Sequence, residues 1–289
     1  MVSSKDFDNT VENKWCPGCG NFSILQSMKE AFAAMDLPPE KLTLISGIGQ
    51  AGKTPNFLHC NMFHTLHGRA LCVATGAKIA NKDLNIVVNS GDGDCYGEGG
   101  NHFLAAIRRN IDLTLLVHNN RVYGLTKGQA SPTSDFHMKT KLQHQGSASI
   151  PFNPLGVALM SGAGFVARGS SGDKEQLTQL IQAAMAHKGF SMIDILQPCP
   201  SFNRVNTGKW YKERVYRLDE TDHESSDFQG ALTLTLDREE KKIPTGVLYA
   251  EKENPRGDFH DSQAVLKGKR LLDRPIEMAT LEKLVNRAG

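Results

Sequence analysis

Residues Asn89 to Gln129, NSGDGDCYGEGGNHFLAAIRRNIDLTLLVHNNRVYGLTKGQ, decide how the chain reads. An apolar run, Leu84 to Val88, leads into Gly91-Asp92-Gly93-Asp94. A helical stretch follows, then a second apolar run, Leu113 to Val117, that ends on Asn119-Asn120. The pattern is strand, acidic glycine turn, helix, strand, polar turn. Such a unit puts both turns at the carboxyl ends of neighbouring parallel strands, the edge where open α/β sheets bind ligands.

The residues at those turns suit a metal–diphosphate site. Asp92 offers a hard carboxylate oxygen, and Asn120, 28 residues later, a neutral amide oxygen. The carbonyl of Val122 completes the protein's share. Mg²⁺ takes near-octahedral oxygen coordination from few protein ligands plus phosphate oxygens and water. Gly91, Gly93, Gly97, Gly99 and Gly100 let backbone N–H groups approach anionic oxygens. A Gly-Asp-Gly alone is more often an ordinary strand-to-turn junction; the Asn pair at this spacing reverses those odds.

The chain has 289 residues, enough for a sizeable core, as one large α/β domain or one domain plus an arm. Its 39% hydrophobic and 22% charged content is ordinary for a globular protein. A net charge of +2 gives no reason to expect nucleic acid or a membrane surface as partner. No apolar run reads as a signal peptide or a membrane span, so a cytoplasmic setting is expected. Six cysteines in a chain of this length point to free thiols, metal ligation or redox chemistry rather than a disulfide scaffold.

From the start, residues 1–14 read as a polar arm. Trp15-Cys16-Pro17-Gly18-Cys19-Gly20-Asn21 holds a Cys-x-x-Cys pair with three open readings: half a zinc site, a redox dithiol, or two ligands of an iron–sulfur cluster. A helix follows, with Phe22, Leu25, Met28, Ala31, Phe32 and Met35 near helical spacing. Leu42 to Ser46 is a short strand ending in Gly47-Ile48-Gly49, then Gln50-Ala51-Gly52-Lys53. Lys53 faces either an anionic ligand or plain solvent. His59 to Ala70 is dense in histidine (His59, His64, His67) with Cys60 and Arg69, and is a candidate pocket lining. Val73 to Ala80 reads as a buried helix, and Cys72 as a small hydrophobe.

Past the central unit, residues 127–149 lack periodicity. A loop this long tends to be functional and is expected to cover a cofactor or meet a partner. Residues 153–161 read as a helix, 165–167 as a strand, 173–187 as an amphipathic helix, and 190–196 as a strand leading to Gln197-Pro198-Cys199-Pro200. Strands alternating with helices predict a parallel sheet. Cys199 then lies on the same edge as Asp92 and Asn120, within reach of Cys16 and Cys19. From Trp210 the pattern weakens. One strand is expected near 243–249 and a short helix near 276–287. The division drawn is an arm over 1–14, an α/β domain over 15–215, and an extension over 216–289 that packs on a partner.

Cys16-Pro17-Gly18-Cys19-Gly20-Asn21, Ser46-Gly47-Ile48-Gly49, His67-Gly68-Arg69, Ala74-Thr75-Gly76, Gly91-Asp92-Gly93-Asp94, Asn119-Asn120, Val122-Tyr123-Gly124-Leu125-Thr126, Gln129-Ala130-Ser131-Pro132-Thr133 and Pro198-Cys199-Pro200 occur in that order. Over residues 14–250 the chain resembles the β subunit of 2-oxoacid:ferredoxin oxidoreductases. The resemblance implies a thiamine diphosphate-binding α/β fold, Mg²⁺, one [4Fe–4S] cluster, and an α subunit that supplies the activating glutamate, in an (αβ)₂ assembly. It implies oxidative decarboxylation of a 2-oxoacid with coenzyme A, giving acyl-CoA, CO₂ and reduced ferredoxin. Asp92, Asn120 and the Val122 carbonyl are then the Mg²⁺ ligands. Gly49, His67, Gly91, Gly93, Asp94, Gly124 and Leu125 line the cofactor, with Lys53 and His67 as candidate catalytic groups. Cys16, Cys19 and Cys199 ligate the cluster.

The chain departs from the family at Gln50, where a further cluster cysteine is usual. Cys60 is the expected replacement, Cys95 the competitor, and a non-cysteine ligand or an incomplete cluster the other ways out. Lys53 is the match for a distal carboxylate, which favours 2-oxoglutarate over pyruvate as substrate. The competing classes are a non-oxidative thiamine enzyme, which needs no cluster, and a non-catalytic subunit with a zinc-bound cysteine site.

Overall fold

A computed structural model describes residues 1–237, 240–253, 257–263, 269–273 and 277–288. Its strands are β1 (Leu42–Ser46), β2 (Asn61–His64), β3 (Asn85–Gly91), β4 (Leu113–Asn119), β5 (Val122–Tyr123), β6 (Gln129–Ala130), β7 (Phe165–Ser170), β8 (Phe190–Leu196), β9 (Val215–Arg217) and β10 (Ile243–Ala250). Its helices are α1 (Asn21–Ala34), α2 (Ala70–Ala80), α3 (Gly100–Arg109), α4 (Pro154–Met160), α5 (Lys174–Ala186), α6 (Gly208–Lys212), α7 (Phe228–Thr235) and α8 (Met278–Ala288).

Eight strands form one sheet in the order β2-β1-β3-β4-β8-β7-β10-β9. Its pairings are parallel except β10 against β7. The central strands are apolar along their length because helices cover both faces. Alternate side chains sort between two cores. Leu44, Val87, Leu116 and Ile193 pack with α1 and α5; Ile45, Val88, Leu115 and Met192 pack with α2, α3, α4 and α7. The chain leaves β1 toward β2 and leaves β3 toward β4, so the order reverses between β1 and β3. The carboxyl ends of those two strands, Ser46-Gly47 and Gly91-Asp92, open the crevice such a reversal creates.

The parallel α/β fold stands as the sequence predicts it. Four expectations change. The arm is docked, since Phe7 is fully buried against Phe32 and Asp8 pairs with Lys29 at 2.8 Å. The break after residue 215 does not divide the sheet, because β9 and β10 are its last strands. The helix of Val73 to Ala80 is only half covered: Ala70, Leu71, Ala74 and Lys78 are buried, while Val73, Ala77 and Ala80 are half-buried and Gly76 is exposed. The segment at 61–64 is an edge strand, exposed at all four positions, where periodicity offered nothing to read.

His118 sits near the carboxyl end of β4 and is buried. Its Nε2 lies 2.9 Å from Asn89 Oδ1 and its Nδ1 2.7 Å from the side-chain amide of Asn21, whose Nδ2, otherwise without a partner among the described residues, is the donor that the bare Nδ1 of a neutral ring requires. Asn89 Nδ2 donates to Ala51 O and to Thr54 Oγ1, which fixes Asn89 Oδ1 as the acceptor of an Nε2–H. Burial holds the imidazole neutral and pushes its pKa down to about 3, from 6.5. A histidine lowered on folding takes up its proton only in the unfolded chain between those values. Its contribution is therefore complete above pH 6.5 and is lost as pH falls toward 3, at about 1.4 kcal/mol per unit per proton. We expect His118→Gln to flatten the acid limb of stability between pH 6 and about 4 by close to one proton's slope. Urea unfolding at stepped pH measures it; an unchanged slope would show that His118 is not the group responsible.

Candidate active site

The Gly91-Asp92-Gly93-Asp94 turn leaves β3 directly into a π-type turn, Gly93–Glu98, before α3 begins. Its hydrogen bond runs from Gly99 N to Asp94 O at 2.9 Å. Such wide turns are uncommon and concentrate at functional sites. Here the turn buries Asp92 and Asp94 on different partners, so the two aspartates do different work.

Asp94 organises the backbone. Its Oδ1 accepts from Gly68 N at 2.8 Å and Ile48 N at 3.1 Å, and its Oδ2 accepts from Ser90 Oγ at 2.5 Å. His67 Nδ1 lies 2.8 Å from Oδ1, close enough to pair but off the angle of a hydrogen bond. One carboxylate thus ties the turns after β1 and before α2 to the turn after β3. Gly47 leaves the room: a Cβ there would lie 1.7 Å from Asp94 Oδ2.

Asp92 faces the other way. Ser131 Oγ and Thr133 Oγ1 donate to its Oδ2 at 2.5 and 2.6 Å. Burial raises its pKa to about 6, against these hydrogen bonds and with a smaller contribution from Asp194. The long loop after Gly124 therefore reaches the Asp92 turn through two hydroxyls. Asn120 Oδ1 accepts from Val122 N at 3.0 Å, which closes the turn across Arg121. Arg121 holds a left-handed φ of 60°. Its guanidinium is gripped by Glu240 at 2.6 and 2.8 Å and by Asp135 at 2.6 Å, and packs against Trp210. Burial alone would lower its pKa; Tyr211, Glu240 and Asp135 outweigh that and raise it. Glu240, from the segment expected to be an arm, thereby braces the Asn120 turn.

Gly49, Gln50, His67, Asp92, Asp94, Asn120, Val122, Tyr123, Gly124 and Leu125 meet around a cavity of about 70 Å³. That is well below the ~300 Å³ or more of a complete small-molecule site. A second small cavity adjoins it, lined by Trp15, Cys16, Cys19, Gln50, Asn120, Gly124, Gln197 and Cys199. Gln50, Asn120 and Gly124 border both. Burial pushes the Cys19 thiol up, and the neighbouring Cys199 and Cys16 add to it. Gln197 Nε2 lies 3.4 Å from Cys19 Sγ. Among the described residues no three His, Cys, Asp or Glu side chains are closed up as a ready metal site.

The other predicted residues lie elsewhere. Cys60 precedes β2, whose first residue pairs with Thr43, so it sits at the amino edge of the sheet, opposite the three thiols. Burial pushes its pKa up to about 12. It does not complete the cysteine set. Cys95 is buried in the core on the α2–α3 face. Of the histidine-rich stretch only His67 reaches a cavity. His64 bonds Ser46 Oγ at 2.9 Å and His59 the Asp6 carbonyl at 3.1 Å, while Arg69 is exposed. Lys53 is half-buried in the turn after Gln50 and lines neither cavity.

Sequence reasoning missed Asp194 and Tyr96. Asp194 is buried in mid-strand, takes Tyr96 OH at 2.8 Å and Asn119 Nδ2 at 3.1 Å, and is raised in pKa chiefly by burial. Asn119, whose Oδ1 also accepts from Thr133 Oγ1 at 2.8 Å, is thus a brace rather than a ligand. A single aspartate inside the apolar run Phe190 to Leu196 was the available signal, since an unpaired charge there is costly.

The comparisons with known proteins agree with this geometry. Residues 47–195 match the model of the thiamine pyrophosphate enzyme C-terminal TPP-binding domain. Residues 199–267 match the C-terminal part of the pyruvate ferredoxin oxidoreductase β subunit. The chain is 51% identical over 210 residues to the 2-oxoacid:ferredoxin oxidoreductase subunit beta of Saccharolobus solfataricus, covering 72% of this chain and 69% of that one. The chain belongs to the 2-oxoacid:ferredoxin oxidoreductase β-subunit family. A β subunit from Aeropyrum pernix is 42% identical over 262 residues, covering 88% of this chain and 81% of its own length. A solved 2-oxoglutarate:ferredoxin oxidoreductase from Magnetococcus marinus, with 2-oxoglutarate, coenzyme A and succinyl-CoA bound, superposes with a TM-score of 0.89. It is 36% identical, over 98% of this chain and 96% of that one. The matched family model is that of a thiamine pyrophosphate-binding domain, and the Asp92 turn lies within the matched residues.

The role of Asp94 makes a direct test. We expect Gly47→Ala to cost several kcal/mol, on the order of overpacking a buried site, and to lose thiamine diphosphate binding by displacing Asp94. Thermal unfolding together with cofactor titration reads both. A variant of wild-type stability and affinity would show that the Gly47–Asp94 contact is not structural.

Proposed function

We propose that the chain is the thiamine- and cluster-bearing half of an enzyme that oxidatively decarboxylates 2-oxoglutarate. Coenzyme A accepts the succinyl group and ferredoxin the electrons. The observation that carries this reading is the shared wall: Gln50, Asn120 and Gly124 separate the metal turn from the three-thiol cavity. An electron carrier at the cysteines would stand one side chain away from the cofactor.

The residues fit the implied groups. Asp92 is a buried carboxylate whose charge is disfavoured without a counter-ion, which suits Mg²⁺. Asn120 and the Val122 carbonyl are the accompanying oxygen ligands. Cys16, Cys19 and Cys199 suit an iron–sulfur cluster in kind and in placement, though not in number. Bound thiamine diphosphate supplies the carbanion chemistry, and the protein supplies placement, charge and an exit for electrons. Ser131 and Thr133 hold Asp92 in one orientation, and Asp94 holds His67 at the cavity's edge. An α subunit closes the other side and brings the activating glutamate, in an (αβ)₂ assembly in the cytoplasm.

The 2-oxoglutarate assignment draws on relatives such as the 2-oxoglutarate oxidoreductase subunit KorB of Mycobacterium tuberculosis, 46% identical over 199 residues. Lys53 is this chain's candidate for reading the distal carboxylate. It makes no ion pair among the described residues. The assembled enzyme with Lys53→Ile is expected to lose roughly tenfold or more in 2-oxoglutarate kcat/KM relative to pyruvate, the scale of one charge-assisted contact. An unchanged ratio removes Lys53 from that role. The chain without its α subunit is expected to show no 2-oxoacid-dependent reduction of ferredoxin, and turnover by the isolated chain overturns the two-subunit reading.

A further inference from the structure

We propose that Gln50 is the fourth ligand of the cluster, so that this chain holds a [4Fe–4S] group by three thiolates and one side-chain amide. The inference rests on the iron–sulfur reading above and goes beyond it. It makes one iron of the four chemically distinct.

Three observations lead there. Gln50 lines the same cavity as Cys16, Cys19 and Cys199. Its Oε1 is buried and accepts no hydrogen bond from the described residues. A buried acceptor left without a partner is costly, and a Lewis acid at that oxygen removes the cost. Finally, the residue is pinned in place. Trp15 Nε1 donates to the Gln50 carbonyl at 2.9 Å, and the Trp15 ring packs edge-on against Phe22 and Phe57. Trp15 immediately precedes Cys16, so one contact fixes the Gln50 turn to the loop that bears two of the thiols.

Gln197, whose Oε1 is also buried without a partner among the described residues, turns its Nε2 toward Cys19 Sγ at 3.4 Å and so serves as a donor to a thiol, and no other thiol competes. Cys60 is at the opposite edge of the sheet, Cys95 is buried on its other face, and Cys72 donates to the Arg69 carbonyl at 3.1 Å. An amide oxygen is a neutral, hard ligand, which binds iron of an iron–sulfur cluster more weakly than thiolate does. Two consequences follow. Replacing a thiolate by a neutral group makes the cluster site less negative by one charge, which raises its reduction potential. The iron at that corner also becomes the one that leaves. With a one-electron oxidant such as ferricyanide, [4Fe–4S]²⁺ gives up one electron to become [4Fe–4S]³⁺. That form releases Fe²⁺ and leaves [3Fe–4S]⁺ on the three cysteines. Fe²⁺ and one electron from dithionite restore the starting cluster.

The test uses the anaerobically purified complex with the α subunit, as wild type, Gln50→Cys and Gln50→Ala. Iron and acid-labile sulfide are counted, and EPR spectra taken, before and after one equivalent of ferricyanide. The expected wild type starts with four irons per chain, drops to three with the appearance of a three-iron signal, and recovers with Fe²⁺ and dithionite. Gln50→Cys is expected to keep all four and to show a lower potential. Gln50→Ala is expected to lose iron faster than wild type by roughly tenfold or more, the scale of one lost metal-site contact. A wild type that keeps four irons as firmly as Gln50→Cys overturns the proposal and leaves the iron–sulfur reading intact. Equal rates of iron loss in wild type and Gln50→Ala also overturn it, because Gln50 then holds nothing. Absence of iron from every form overturns the cluster reading itself.

Discussion

The site depends on one buried carboxylate whose partners are donors of the chain itself. Asp94 collects two backbone N–H groups, a serine hydroxyl and a histidine from three separate turns. Those turns belong to elements that are distant in sequence and adjacent only because the sheet order reverses between β1 and β3. Backbone amides at a crevice have no strand partner and must be satisfied by something. Asp94 satisfies two of them at once and in doing so sets the spacing of the crevice. Asp92, two residues earlier, is then free to face the cavity. The division of labour follows from the π-type turn, which sends successive acidic side chains to different sides.

A second constraint acts on the Asn120 turn. The left-handed conformation of Arg121 is unfavourable for a non-glycine residue. The ion pairs of its guanidinium with Asp135 and Glu240 hold it there. The partners lie 14 and 119 residues away in the chain. The Asp92 turn is similarly braced by Ser131 and Thr133 from the long loop. Both turns are therefore shaped by segments that have no regular structure of their own, which explains why such long irregular stretches persist in a compact fold.

The parallel core was readable because each central strand is a short apolar run between turn residues, and each covering helix shows its period. The edge at which Asp92, Asn120 and Cys199 meet followed from that topology alone. The parts that were not readable share a physical cause. β2 pairs through its backbone and exposes every side chain, so its sequence carries no burial pattern. β10 lies beyond a polar stretch and joins antiparallel, so alternation gave no hint that it belonged to the main sheet. Cys60 looked suitable because it is close in sequence to the glycine turn, yet an intervening turn and the parallel pairing of β2 carry it to the far edge. Gln50 was seen only as a missing cysteine. Its own chemistry became visible once the cavity it shares with three thiols was known.

The exposed edge bears on how the chain fares inside a cell. On β2 and just past it, Met62, Phe63 and Leu66 are 53%, 58% and 76% exposed, and the β2 backbone has an open side. The terminal helix α8 adds Met278, Leu281, Leu284 and Val285, all exposed. Unpaired edges flanked by apolar side chains are templates for pairing with another copy. A surface of this kind favours self-association whenever it is left bare, so the cost of leaving it uncovered rises with the concentration of the chain.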